Sequence, residues 1–291
     1  MKKTSYFLLI LLFSTFACKQ KPGGEQVAAP DNSALQEMLA KLPPPFEVAA
    51  RLQATGAEYN HAILSIPSNA SALAADTNKN LVAGNLGIYL ADMGYCIAYQ
   101  QKDDAKQYYE AASQLAESLG LQKDFLSYLM KRYDQNLNNN DSLKSVLNDM
   151  YHQSVNSISG DNGQTLKGIV ACANYIESLH TLMAIVETYP KDQLGDEHRN
   201  IILAPVFRVI FLQKENVQNV HNYLNAAIGN APNMAYFNDA FNGLTQLYDS
   251  LNIEDKINNN KIEDLMNDTV IQHLIFSVEN IRNKVMRPAG M

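Results

Sequence analysis

The chain has no tryptophan, only three cysteines, and few of the residues that interrupt helices: 14 glycines and 10 prolines in 291 residues. Each shortage excludes something. Without tryptophan, a dedicated sugar-stacking platform lacks its best ring. The cysteines form no CxxC and no Cys/His set at zinc spacing, which excludes a zinc ribbon and a dithiol redox motif. No GxSxG, HExxH, P-loop or GxGxxG occurs, so the common hydrolase, zinc-protease and nucleotide-binding readings fall away. Apolar and polar residues nowhere alternate with a period of two, so strands are not expected. Basic residues are outnumbered, 23 Lys and Arg against 30 Asp and Glu for a net charge of −7. Such a surface repels phosphate backbones and excludes nucleic acid as a partner.

What is present at the N-terminus specifies a compartment. Lys2 and Lys3 precede a short apolar run, Tyr6 to Phe13, and Thr15-Phe16-Ala17 leads into Cys18. That is the layout of a signal peptide, with an apolar run too short to span a bilayer. A small residue directly before a cysteine resembles the lipobox of bacterial lipoproteins, with Phe16 in place of the usual small residue. The expectation is a signal peptide over residues 1–17, lipidation at Cys18, a Pro- and Gly-containing tether over 18–32, and one α-helical domain over 33–288. The protein would then sit in the cell envelope, with membrane contact through its lipid and a protein partner there.

The domain is organised around Asn85 to Leu121. Leu86, Leu90, Met93 and Ile97 form one stripe, widened by Tyr89 and Cys96, as a core-facing helix requires. Lys102-Asp103-Asp104 interrupts the pattern and places acids at the start of the next helix. Its apolar set is Ala105, Tyr108, Tyr109, Ala112, Leu115, Ala116 and Leu119, ended by Gly120. An antiparallel helical hairpin is expected, and its second half is similar to a tetratricopeptide helix pair.

Elsewhere, helices are expected over Ser33 to Leu42, stopped by Pro43-Pro44-Pro45, and over Phe46 to Tyr59. Asn60 to Asp76 carries turn signals. Further helices run from Asp124, from Asp141, and from Gln164 to Tyr189, whose stripe of Ile169, Cys172, Ile176, Leu179, Met183 and Val186 makes it a second central rod beside Asn78 to Gln101. Leu194 to Gln213 reads as a buried helix kinked at Pro205. Helices at Glu215 to Ile228, Met234 to Leu251 and Ile262 to Val285 complete an all-α domain of about ten antiparallel helices, a helical-hairpin array or bundle.

The segments GAEYNHAIL, NLGIYLADMGY, YYEAASQLAESLGL and IVACANYIESLH together resemble a family of Bacteroidota lipoproteins. That resemblance implies an all-helical envelope protein and brings no functional residue with it. Asp141-Ser142-Leu143, Asp249-Ser250-Leu251 and Asp268-Thr269-Val270 also resemble the O-glycosylation tripeptide of such bacteria, although a helix N-cap explains the first equally well.

Three readings of function follow. The absence of any converging acid, base and nucleophile favours a non-catalytic binding or assembly module with no cofactor. Tyr59, Tyr89, Tyr95, Tyr99, Tyr108 and Tyr109 crowd one region and offer rings for a small-molecule or glycan groove, or fill the core with wet hydroxyls. Glu177-Ser178-Leu179-His180 puts a carboxylate and an imidazole on one helix face, as in di-iron bundles, and is the candidate metal pair of a metal-dependent enzyme. No second ExxH accompanies it, which favours a hydrogen-bonded core histidine beside a surface or paired glutamate. Cys96 and Cys172 both fall on apolar faces and are expected as buried free thiols rather than a disulfide.

Overall fold

A computed structural model describes residues 32–160, 162–189, 196–227, 234–259 and 261–286; the segment expected as signal peptide, Cys18 and most of the expected tether lie outside the described residues. Among them the chain is all α-helical, with no strand. Eleven helices have nine or more residues: α1 (Asn32–Ala40), α2 (Pro45–Gln53), α4 (Lys79–Ala98), α5 (Lys102–Ser118), α6 (Lys123–Gln135), α7 (Asn140–Ser157), α8 (Gly163–Thr188), α9 (Asp196–Phe211), α10 (Lys214–Ala227), α11 (Ala235–Ser250) and α14 (Thr269–Met286). Three single-turn helices complete the order: α3 (Ala70–Ala74), α12 (Glu254–Asn258) and α13 (Ile262–Met266).

The centre is α4 beside α8, with α2, α5, α7 and α14 packed around them. The two rods lie as close as backbones allow. A Cβ added to Gly87 would sit 2.8 Å from Cβ of Ala173 and 2.8 Å from N of Asn174. The rods lie side by side as expected, and the structure adds their direction. Gly84 faces Ile169, Gly87 faces Ala173, and Ala91 and Tyr95 share a small cavity with Ser178 and Thr181, so position rises together along both helices and the pair is parallel. Antiparallel packing holds for the α4–α5 hairpin, closed by a turn in which Gln100 takes φ 59°.

The single apolar stripe expected for α4 is also corrected. Every residue from Leu81 to Ala98 is buried, because α4 has neighbours on all sides. Lys79–Ala98 and Gly163–Thr188 are long and apolar enough to cross a membrane by length and composition, yet 100% and 94% of their most apolar windows are buried in this fold. Helices that are hydrophobic all round occur in the centre of a large domain as well as in bilayers.

Boundaries moved where polar side chains took over backbone groups. α2 stops at Gln53 rather than Tyr59: Thr55 bonds back to Leu52, and Gly56 turns the chain out with φ +83°. Asn139, not Asp141, caps α7. The expected final helix is broken in two, because Asp268 accepts from the amides of Val270 and Ile271, starts α14 and pairs with Lys256. Cys96 and Cys172 are buried free thiols.

Candidate functional site

Between α2 and α3 the chain runs from Ala57 to Asn69 without an α-helix, as two 3-10 turns, His61–Ile63 and Pro67–Asn69, joined by extended residues. A segment with no ladder of its own must find partners for its peptide groups elsewhere. Here the core helices supply them. Tyr95 of α4 accepts from the amide of Asn60 at 2.9 Å, Tyr108 of α5 donates to the carbonyl of Ser65 at 2.5 Å, and Tyr89 of α4 donates to the carbonyl of Ile66 at 3.1 Å. Asn60 also donates from its side chain to Thr188 of α8 at 3.0 Å. We call this segment the strap.

The six tyrosines therefore do not line one groove. Tyr89, Tyr95, Tyr108 and Tyr109 are at most 1% exposed. Tyr59, Tyr95 and Tyr99 stack at ring distances of 4.7–5.8 Å, Tyr89 packs with Tyr108, and Tyr109 sits apart against Tyr133 with its hydroxyl on the carbonyl of Leu126. Their rings fill the core and their hydroxyls hold backbone. Burial pushes the phenols of Tyr89 and Tyr95 up to about 12, so they serve as neutral hydrogen-bonding groups.

Beneath the strap lies a charged cluster. Asp92 of α4 is 0% exposed; the amide and hydroxyl of Ser65 both donate to its Oδ2, and among the described residues its Oδ1 has no partner. Glu177 of α8, also 0% exposed, receives Arg282 of α14 in a two-pronged pair, Nε to Oε2 at 2.5 Å and Nη2 to Oε1 at 2.9 Å. Burial raises the Asp92 carboxyl well above the usual carboxylate range, and the nearby Glu177 charge raises it further. The second, smaller cause is a charge count: two carboxylates lie near one guanidinium, and that guanidinium is bound to Glu177.

This geometry corrects the metal candidate. Both oxygens of Glu177 are committed to Arg282, and His180, one turn further along α8, is held by the backbone of Ile63 in the strap. Burial lowers the His180 pKa, so its ring is kept neutral. Among the described residues no three His, Cys, Asp or Glu side chains converge as a metal would require. The residues not singled out in the sequence are Asp92, Arg282 and Ser65. A usable signal was there: Asp92 is the one charged residue between Leu81 and Ala98, in a run otherwise fit for a core.

At the edge of the cluster, Tyr59 donates to Asp104 of α5 at 2.8 Å, lies 3.6 Å from the Cys96 sulfur and 3.5 Å from Nδ1 of His61, and His61 lies 3.2 Å from Asp104. Nucleophile, imidazole and carboxylate types thus meet around one phenol. The thiol is 0% exposed and burial pushes its pKa upward, so it stays protonated and is a poor nucleophile.

An open depression lies elsewhere. α11 and α14 leave a groove of about 610 Å³, lined by Ala240, Gly243, Gln246 and Leu247 from α11 and by His273 and Asn280 from α14. A Cβ at Gly243 would meet nothing within 4 Å. Compared with family models, with curated proteins and with solved structures, the chain matches none.

Proposed function

We propose that this protein is a non-catalytic binding or assembly module, held at the cell envelope by a lipid on Cys18, and that its partner is another protein. The supporting observation is the α11–α14 groove. It is open, is lined by small, apolar and polar residues together, and follows α11 from Asp239 to Ser250, about three helical turns. Those are the proportions that take a helical segment of a partner. By contrast, the groups capable of chemistry are bound to one another: Glu177 to Arg282, Asp92 to Ser65, Asp104 to Tyr59.

The test is site-specific photocrosslinking in native envelopes, with the photoreactive residue at Gln246 in the groove or at exposed Lys131 on α6 as control. A discrete protein adduct from Gln246 alone is expected. Adducts from neither position, or equal adducts from both, would refute the groove as the binding face. Separately, Cys18→Ser is expected to move the protein from the membrane fraction to the soluble one. If it stays with membranes, the lipid anchor is wrong whatever the crosslinking shows.

A further inference from the structure

The strap is fastened to the core by side chains rather than by a ladder, and its central fastening is to a carboxyl group that has no cation of its own. Ser65 is the residue directly above Asp92, and the next residue, Ile66, is 64% exposed, so Asp92 lies one layer beneath solvent. We propose that the strap is a proton-latched cover: it is closed while Asp92 carries a proton and opens when Asp92 releases that proton to solvent.

The groups that face Asp92 decide the sign. From its own helix come Tyr89, Tyr95 and Cys96, from α5 Tyr108, from α8 Glu177, from α14 Arg282, and from the strap Ser65. The phenols and the thiol are neutral, because burial raises each of them. His180 lies beyond Glu177 with burial holding its ring neutral, and Glu279 of α14 faces His180 rather than Asp92. The only formal charges near Asp92 are therefore one negative and one positive, already joined as Glu177–Arg282. A proton on Asp92 leaves that pair balanced. Without the proton, the interior holds an uncompensated carboxylate, which is strongly unfavourable in a dry site. Lifting Ser65 lets water reach it. Of the other fastenings, Tyr95, Tyr108 and Tyr89 bind backbone groups without charge, and Tyr59 and His61 reach the carboxylate of Asp104 on α5, a contact that Asp92→Asn leaves in place.

The linkage follows from the raised carboxyl. Above the ordinary carboxylate range the closed state holds a proton that the open state has lost, so closure is favoured at low pH and weakens as pH rises from that range to the raised value, beyond which it no longer changes. His180 acts in the opposite sense. Its lowered pKa makes the fold lose stability as pH falls below the ordinary imidazole range, so the two groups are separable by direction.

The experiment is hydrogen exchange on the purified full-length chain between pH 6 and 9, read as protection factors so that intrinsic exchange is removed. The reporting amides are those of Asn60 and Ser65, with α4 core amides as reference. In the wild type, strap protection should fall by up to about tenfold per pH unit as pH climbs toward the raised Asp92 value and level off above it, while α4 stays protected. Asp92→Asn keeps an acceptor for Ser65 and cannot ionise, so its strap should stay protected and flat with pH. A wild-type strap that is flat over this range, or an Asp92→Asn strap that follows the wild-type curve, would overturn the latch. Ser65→Ala covers the case in which Asp92→Asn does not fold. It should lower strap protection by about tenfold even at pH 6, from the loss of one hydrogen bond to the latch, and unchanged protection there would equally refute it.

Discussion

Replacing Arg282 by Met tests the buried charge count at the centre of the fold. The side chain keeps its length and loses its charge, which leaves Glu177 at 0% exposure with neither of its two hydrogen bonds, close to a second acid, Asp92. Removing one partner of a buried pair costs about 3–5 kcal/mol, because the other charge stays behind. The stranded glutamate can escape by taking up a proton. For a carboxylate of ordinary pKa that costs about 3.7 kcal/mol at pH 7 and about 1 kcal/mol at pH 5. Protonation therefore sets the scale, and Arg282→Met should lose about 3–4 kcal/mol at pH 7 and about 1–2 kcal/mol at pH 5. For a chain of this size the neutral-pH loss corresponds to a fall in Tm of roughly 6–16 °C. Urea unfolding at the two pH values, analysed with matched m-values, measures it. A loss below about 1 kcal/mol at pH 7, or one that does not shrink at pH 5, would show that Glu177 is solvated or compensated otherwise.

The remaining predictions concern packing, thiols and one phenol. Gly87→Ala should destabilise by about 2–4 kcal/mol, since the new methyl would press into the α8 backbone at Asn174. Gly243→Ala, with nothing within 4 Å, should stabilise α11 by about 0.5–1 kcal/mol; thermal melts of both variants check the contrast, and equal shifts would refute the close α4–α8 approach. Cys96 and Cys172, both 0% exposed and with pKa values pushed up by burial, should resist a thiol reagent at pH 8 in the native state and react after denaturation. Rapid native labelling of either would place it outside the core. Tyr109→Phe removes the phenol's bond to the carbonyl of Leu126, which lies within α6 and keeps its helical partner, and should cost about 0.5–1.5 kcal/mol, read from urea midpoints.

The helices were legible because their causes are local. Apolar residues three and four apart fixed α5, α7 and α10 to within a residue or two, and prolines and asparagine runs marked the gaps. The tyrosines of the α4–α5 region were legible as core with polar tips, but not what the tips held, because the strap they hold has no periodic pattern of its own. Glu177 and His180 were correctly read as neighbours on one helix face. The partner of Glu177 was not legible, since Arg282 lies 105 residues away.

Composition and periodicity by themselves determined an all-α chain with two long central rods, because a helix is made by bonds four residues apart and declares its buried face every turn. They could not determine that the rods run parallel, that α4 is enclosed on every side, or that two acids and one arginine meet beneath the strap. Those depend on which surfaces pack together, and a stripe of leucines is equally ready for any apolar partner. Close backbone approach at Gly87 and the pairing of Glu177 with Arg282 select one packing among many, and both exist only once distant segments have come together.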